Sequence, residues 1–239
     1  MQGASHVTRN RLLAALRPEI VEQWLPHLEP VHMKLGAVLY EPGETLSHVY
    51  FPTTALVSLL HVLKDGSMAE IAIVGNDGVV GVALFMGGLA TSTRGVVQGG
   101  GGALRFDRVR IQAEFEQGGP VMHLLLRYTQ ALISQMTQTA VCNRHHKIEQ
   151  QLSRWLLLSL DRINGTEISM THELISNMLG VRREGVTEAA SKLQRKGVIR
   201  YSRGRITILD RAALERCSCE CYEVVKNEYL RLLPKRLAS

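Results

Sequence analysis

The sequence predicts an α+β chain: an N-terminal antiparallel β-roll, one long helix, and a C-terminal helix-turn-helix with a hairpin wing. Three observations predict it. Short alternating runs separated by turn signals fill the stretch from Val31 to Phe106, the pattern of many short strands closing on themselves. From Pro120 the apolar spacing turns helical and stays so to Ile163. Two short helical patterns then meet at Gly180, and an alternating segment studded with arginines follows.

The elements follow in order. Residues 9–28 form one or two short helices, with Leu12, Leu13, Leu16, Ile20, Val21, Trp24 and Leu28 on the apolar face and Pro18 as a start signal. Strands are expected at Val38–Tyr40, His48–Phe51, Ala55–Val62, Ala69–Val74, Arg94–Val97 and Ala103–Asp107. Glu41-Pro42-Gly43-Glu44, Lys64-Asp65-Gly66 and Gly75-Asn76-Asp77-Gly78 punctuate them as turns, and the run Gly99–Gly102 reads as a loose hairpin turn.

In the long helix, Leu126, Thr129, Ile133, Met136, Ala140 and Asn143 recur at heptad-like spacing, a seam for a partner helix. A break near Asn143–His146 separates it from a second helix, Lys147–Ile163. A last amphipathic helix is expected over about Ala212 to Leu233. These elements divide the chain into residues 1–119 (roll), 120–146 (long helix and hinge) and 147–239 (winged helix-turn-helix).

The segment from Met170 to Leu209 carries the strongest signal. Thr171 caps the first helix, because its hydroxyl can accept from a free first-turn amide. Leu174, Ile175, Met178 and Leu179 form its apolar face, and Gly180 ends it. In the second helix Val186, Ala189, Ala190 and Leu193 face inward. Arg182, Arg183, Glu184, Thr187, Glu188, Ser191, Lys192 and Arg195 face outward. Ser202-Arg203-Gly204 turns the hairpin, which places Arg200, Arg203 and Arg205 near its tip. A guanidinium donates two parallel hydrogen bonds and so suits phosphate oxygens. From Arg182 to Arg205 there are eight Lys/Arg and two Asp/Glu, the charge balance of a surface that meets a polyanion.

Composition agrees. At 45% apolar and 21% charged, the 239 residues can bury a core. Residues 1–143 hold ten Lys/Arg and eleven Asp/Glu, whereas residues 144–239 hold eighteen and eleven, so the formal charge of +6 comes from the C-terminal part. No run of about 18 apolar residues spans a bilayer. No signal peptide is legible, and four cysteines in such a chain read as reduced thiols in a cytoplasm.

A β-roll, a long helix and a winged helix-turn-helix in this order resemble the CRP/FNR family of bacterial transcription regulators. Leu35-Gly36-Ala37-Val38-Leu39-Tyr40-Glu41-Pro42-Gly43-Glu44 resembles the first turn of that family's cyclic-nucleotide-binding jelly roll, and Val49-Tyr50-Phe51 its next strand. Thr171 to Lys196 resembles its helix-turn-helix, with Gly180-Val181-Arg182-Arg183-Glu184-Gly185-Val186 leading into the recognition helix. The resemblance implies a homodimer through the long helix, double-stranded DNA as ligand and RNA polymerase as a further partner. It places base reading on Arg183 and Glu184: arginine can grip guanine O6 and N7, and glutamate can accept from a cytosine amine. Arg182 reads as a phosphate contact. Where the family often has arginine, this chain has Glu188, which either reads a cytosine or pairs with Lys192 at i+4.

The same resemblance puts the cyclic-nucleotide site in doubt. Family pockets carry a glutamate for the ribose and an arginine for the cyclic phosphate. The matching stretches here are Val80-Gly81-Val82 and Thr91-Ser92-Thr93. The cAMP site therefore reads as lost. Ser92 keeps a phosphate-type hydroxyl, and Arg94, two residues on, could stand in on the same strand face. Met136-Thr137 occupies the place of the family's adenine-facing Thr-Ser pair. No cofactor is expected, and another nucleotide messenger or no ligand at all remain the two readings.

No cysteine precedes Cys142, so an N-terminal iron–sulphur arrangement is absent. Cys217, Cys219 and Cys221 fall in the expected last helix, where three thiols at i, i+2 and i+4 cannot converge on one metal without a break. Cys142 with His145 and His146 is a second constellation, and either set could serve a metal or redox sensor. Buried structural thiols are the expectation, with no metal site assigned. A cupin-like metal enzyme would need clustered strand histidines. His32, His48 and His61 are isolated, and no P-loop, Gly-x-Ser-x-Gly or His-Glu-x-x-His run occurs, so no catalytic residue is assigned.

Overall fold

The computed structural model describes residues 7–163 and 165–233 of the chain. The outer ends of the first and last expected domains, residues 1–6 and 234–239, lie outside the described residues. Helix α1 (Arg11–Ala14) starts at a buried Asn10, whose Oδ1 accepts from the amides of Leu12 and Leu13 at 3.1 and 3.0 Å. The same side chain donates to the carbonyls of Pro52 and Gly78, both at 2.9 Å, so the cap also ties α1 to the roll. Helix α2 (Pro18–Trp24) opens on Pro18, whose missing N–H costs nothing in a first turn.

Seven strands build the roll: β1 (Glu29–Met33), β2 (Val38–Tyr40), β3 (His48–Pro52), β4 (Leu56–Val62), β5 (Met68–Val74), β6 (Thr93–Gly99) and β7 (Gly101–Asp107). They form two antiparallel sheets, ordered β1-β7-β3 and β2-β6-β4-β5. Val49, Phe51, Val57, Leu59, Val97, Leu104 and Phe106 fill the space between them, and Trp24 stacks on Phe106 with ring centroids 4.5 Å apart. Strand β1 is not among the expected strands, and it contains Pro30, a residue that argues against a strand. Its place at a sheet edge makes the missing donor harmless.

The Gly99–Gly102 run is not the loose turn expected. Only Gly100 lies outside the strands, and a Cβ on Gly101 would come within 2.7 Å of the backbone at Thr54 and Ala55. The glycines permit close backbone approach there.

Helix α3 (Arg108–Glu116), not foreseen, starts where Asp107 Oδ1 accepts from the Val109 amide at 2.8 Å, and it buries Ile111. Helix α4 (Gly119–His145) runs along the roll with Val121, Leu124, Leu125, Tyr128 and Leu132 inward. Of the expected seam residues, Leu126, Ile133 and Ala140 are exposed and Met136 is half-buried. Thr129 is corrected: it is buried, and its hydroxyl donates to the Leu125 carbonyl at 2.9 Å. At about 100° per residue the i+3 and i+4 positions fall on opposite sides of Leu126, and Thr129 falls on the side away from the exposed stripe. Gln130 and Thr137 lie on that stripe in its place.

Helix α5 (Ile148–Leu160) follows the break at His146 and Lys147. Then come β8 (Glu167–Ser169), α6 (His172–Leu179), α7 (Arg183–Arg195), β9 (Ile199–Ser202), β10 (Arg205–Ile208), α8 (Arg211–Cys217) and α9 (Glu220–Leu232). The one C-terminal helix expected over Ala212 to Leu233 is corrected to two. Ser218 and Cys219 are extended, and the chain turns between α8 and α9. Cys219 and Cys221 are therefore not held at the spacing of one unbroken helix, and the expectation that these thiols cannot converge is corrected.

The C-terminal half does not stand apart from the roll. Leu56, Leu60 and Ile73, on the outer face of the β4–β5 sheet, share one core with Leu152, Trp155, Leu156, Met178 and Leu179. Four parts of the chain meet at Arg162. Its guanidinium lies 3.0 Å from Asp77 of the roll, donates at 2.8 Å to Gln135 of α4, and sits over the Tyr229 ring of α9.

Candidate nucleic-acid interface

The interface begins with local chemistry in α6. Thr171 Oγ1 accepts from the Leu174 amide at 3.2 Å, the expected cap, and Gly180 ends the helix at φ +64°. Ile175, Met178 and Leu179 are buried as expected, but Leu174 is corrected to an exposed position. Ser176 takes an inward place instead, because its hydroxyl is satisfied by the Glu173 carbonyl at 2.8 Å.

A three-residue turn, Gly180 to Arg182, leads into α7. Val186, Ala189, Ala190 and Leu193 are buried, as their spacing requires. Two small alanines on that face let α7 lie close against α5 and α6. The opposite face is polar and open: Arg182, Arg183, Glu184, Thr187 and Glu188 are exposed, and Ser191 and Lys192 are half-buried. Among the described residues, Arg182, Arg183 and Glu184 make no ion pair. Glu188 does: its carboxylate lies 2.7 Å from Lys192 Nζ, and that hydrogen bond holds its pKa below the usual range. In the free protein the i+4 pairing is therefore the state of Glu188. Thr187 and Ser191 donate to the carbonyls of Arg183 and Thr187, at 3.0 and 2.7 Å.

Sequence reasoning missed His172. Its ring stacks on Tyr201 with centroids 4.2 Å apart, and its Nδ1 lies 3.0 Å from Thr187 Oγ1. Because that hydroxyl already donates to the Arg183 carbonyl, Nδ1 is the donor. Burial, and then the nearby Arg183 charge, lower the pKa of His172 and so favour the neutral ring. His172 thus fixes α6, α7 and the wing relative to one another. Gln194 adds a second tie, accepting from the Tyr201 amide at 2.9 Å. A histidine immediately after a capping threonine was the only signal available.

The wing is three-stranded, ordered β8-β10-β9; the short β8 was not foreseen. Its turn has Arg203 at φ +50° and Gly204 at φ +76°, the left-handed pair of a two-residue hairpin. For arginine that conformation costs about 1–2 kcal/mol. Arg200, Arg203 and Arg205 are exposed, and none makes an ion pair among the described residues.

The expected effector residues are not brought together. Ser92 precedes β6, and Arg94 is on β6 with Val96 and Gln98. That face points out of the roll: Val96 packs on the C-terminal core, and Gln98 donates to Met178 Sδ at 3.4 Å. Arg94 itself donates to Glu41 at 2.7 Å, which departs from an anion site inside the roll. Met136 packs on the roll core, and the Thr137 hydroxyl donates to the Ile133 carbonyl at 2.9 Å. Gly81 has φ +101°, so a glutamate there would be strained. The Thr91 and Thr93 hydroxyls, 3.0 Å apart, bond to each other.

This helical pair, buried on its alanine face and basic on its outer face beside an arginine wing, has close counterparts. Residues 150–217 match the Crp-like helix-turn-helix domain. The chain as a whole has the CRP/FNR regulator fold. It is similar to a CRP-family transcriptional regulator of Thermus thermophilus, with TM-score 0.65 and 20% identity over 79% of this chain and 96% of that one. FixK2 of Bradyrhizobium japonicum gives TM-score 0.66 and 18% identity over 80% and 98%. The c-di-GMP-responsive global regulator CLP of Xanthomonas campestris gives 0.64 and 15% over 81% and 100%. At these identities the likeness is one of fold. No curated relative matches the sequence. No helix of the described residues is long and apolar enough to cross a membrane.

Proposed function

We propose that this chain is a sequence-specific DNA-binding transcription regulator that acts as a twofold dimer on a pseudo-palindromic operator. The observation that carries it is the open outer face of α7, where Arg183 and Glu184 make no ion pair among the described residues at the first turn, flanked by Arg182 and by the wing arginines. A recognition helix reads base edges with its N-terminal residues. Arg183 and Glu184 are the base readers; Arg182, Thr171, Arg203 and Arg205 hold phosphates; Thr187, Glu188, Ser191 and Lys192 flank the groove. The exposed stripe of Leu126, Ile133 and Ala140 is the dimer seam, and it sets the two recognition helices about 34 Å apart on successive major grooves.

The roll does not take cAMP in this reading. Gly81 cannot accept from a ribose, Thr91 cannot neutralise a phosphate, and Arg94 is held by Glu41 outside the roll. Calorimetric titration with cAMP tests this, with no heat of binding expected. The DNA reading is tested by titrating a fluorescent promoter-derived duplex. Competition by scrambled duplex as strong as by the intact palindrome would overturn it.

A further inference from the structure

Three thiols and an imidazole converge at the hinge. Cys142 comes from the last turn of α4, His146 from the hinge, Cys219 from the break between α8 and α9, and Cys221 from the first turn of α9. Their ligand atoms all lie within 4.8 Å of one another. Cys142 Sγ is 3.5 Å from Cys219 Sγ, and Cys221 Sγ is 3.6 Å from His146 Nδ1. A tetrahedral ion with 2.3 Å bonds to sulfur needs ligand atoms about 3.8 Å apart. Spacing this tight admits one ion, not a multi-iron cage. We propose that Cys142, His146, Cys219 and Cys221 form a closed Cys3His site for a single tetrahedral divalent cation, with zinc the best fit.

Three features beyond the four ligands support it. The first is the orientation of His146. Its Nδ1 faces the thiols, while its Nε2 lies 3.3 Å from the Glu220 carboxylate. A metal-bound imidazole commonly donates its other N–H to a carboxylate in this way. The second is charge. Three thiolates and a dication leave one net negative charge. Arg154, 3% exposed and with an Nε unpartnered among the described residues, is a buried positive charge beside Cys142 and Cys221. The third is backbone support. Gln151 Nε2 donates to the carbonyls of Cys142, Asn143 and His146, at 3.4, 3.4 and 2.8 Å, and so holds the ligand-bearing turn. Soft thiolates with one imidazole select zinc-type ions over hard cations such as magnesium.

With four protein ligands there is no open position for a reacting water, so the role is structural. The ion rivets the C-terminal end of α4 to the start of α9, across the hinge from the long helix to the recognition module.

The test uses the full-length chain purified under reducing conditions. Elemental analysis gives about one zinc per chain. Chelation followed by Co2+ gives the thiolate charge-transfer and tetrahedral ligand-field bands. Cys142→Ser and Cys221→Ser lose both, while Cys217→Ser, outside the cluster, keeps them. Glu220→Gln, an exposed change, keeps the Co2+ spectrum and weakens Zn2+ affinity by roughly tenfold or more. Reduced wild-type protein that takes up neither Zn2+ nor Co2+ would overturn the proposal. So would a Cys142–Cys219 disulfide in place of metal under those conditions, or a Co2+ spectrum lost equally in Cys217→Ser.

Discussion

The indole nitrogen of Trp155 donates to Glu70 Oε1 at 2.9 Å, a hydrogen bond that crosses from the C-terminal half to the roll. Glu70 is buried, and Ser58 donates to its other oxygen. The position of the DNA-binding module on the roll therefore rests partly on a buried carboxyl. Burial pushes the pKa of Glu70 up to about 7, while Ser58 and Arg154 pull it back.

The sign of the pH dependence follows from that shift. Between about pH 4.5 and 7 the folded chain keeps a proton that the unfolded chain has released. The Glu70 contribution to stability is therefore greatest below about 4.5 and declines as pH rises to about 7. Denaturant unfolding at pH 5 and pH 7.5 measures it. Glu70→Gln flattens the difference; an unchanged difference would show that other groups cause it.

The seam of α4 gives a separate prediction. Ile133 is 55% exposed, so Ile133→Glu leaves the subunit fold intact while placing like charges across a dimer seam. Sedimentation should change from dimer to monomer, and DNA affinity should fall with it. A dimer unaffected by the change would place the interface elsewhere.

Arg203 trades backbone strain for position. Asparagine tolerates a positive φ better, so Arg203→Asn should raise stability by a few tenths to about 1 kcal/mol. It should also weaken DNA binding uniformly across sequences and reduce the log–log salt slope by about 1. Thermal unfolding and a salt titration of the same variant separate the two effects.

Base readers and phosphate contacts should behave differently. Arg183→Ala is expected to cost about 1–3 kcal/mol of binding and to relax discrimination at one base pair. Arg205→Ala should lower affinity alike for matched and mismatched duplexes. A mismatch series in each half-site distinguishes them, and equal loss of discrimination in both variants would remove Arg183 from base reading.

What the sequence showed depended on whether the deciding physics was local. The α7 face was legible because Val186, Ala189, Ala190 and Leu193 repeat at helical spacing, and the wing because a turn separates two alternating runs. Strand β1 contains Pro30, which is tolerable only because of a sheet edge that the sequence does not display. Arg94 was assigned to the pocket from strand alternation with Ser92, yet alternation does not say which face is inside; Gln98 packing on Met178 does. The thiol cluster was hidden by the break at Ser218 and Cys219. Cys142 and Cys219 are 77 residues apart, and only the packing of α9 along α4 brings them together.

The central claim is specific DNA recognition by the α7 face, and salt-dependent binding to a pseudo-palindromic duplex tests it most directly. If each subunit neutralises about four phosphates, the log–log salt slope should lie near −7. The intact palindrome should also outcompete a scrambled duplex at every salt concentration. A slope near zero, or equal competition by the scrambled duplex throughout, would contradict it.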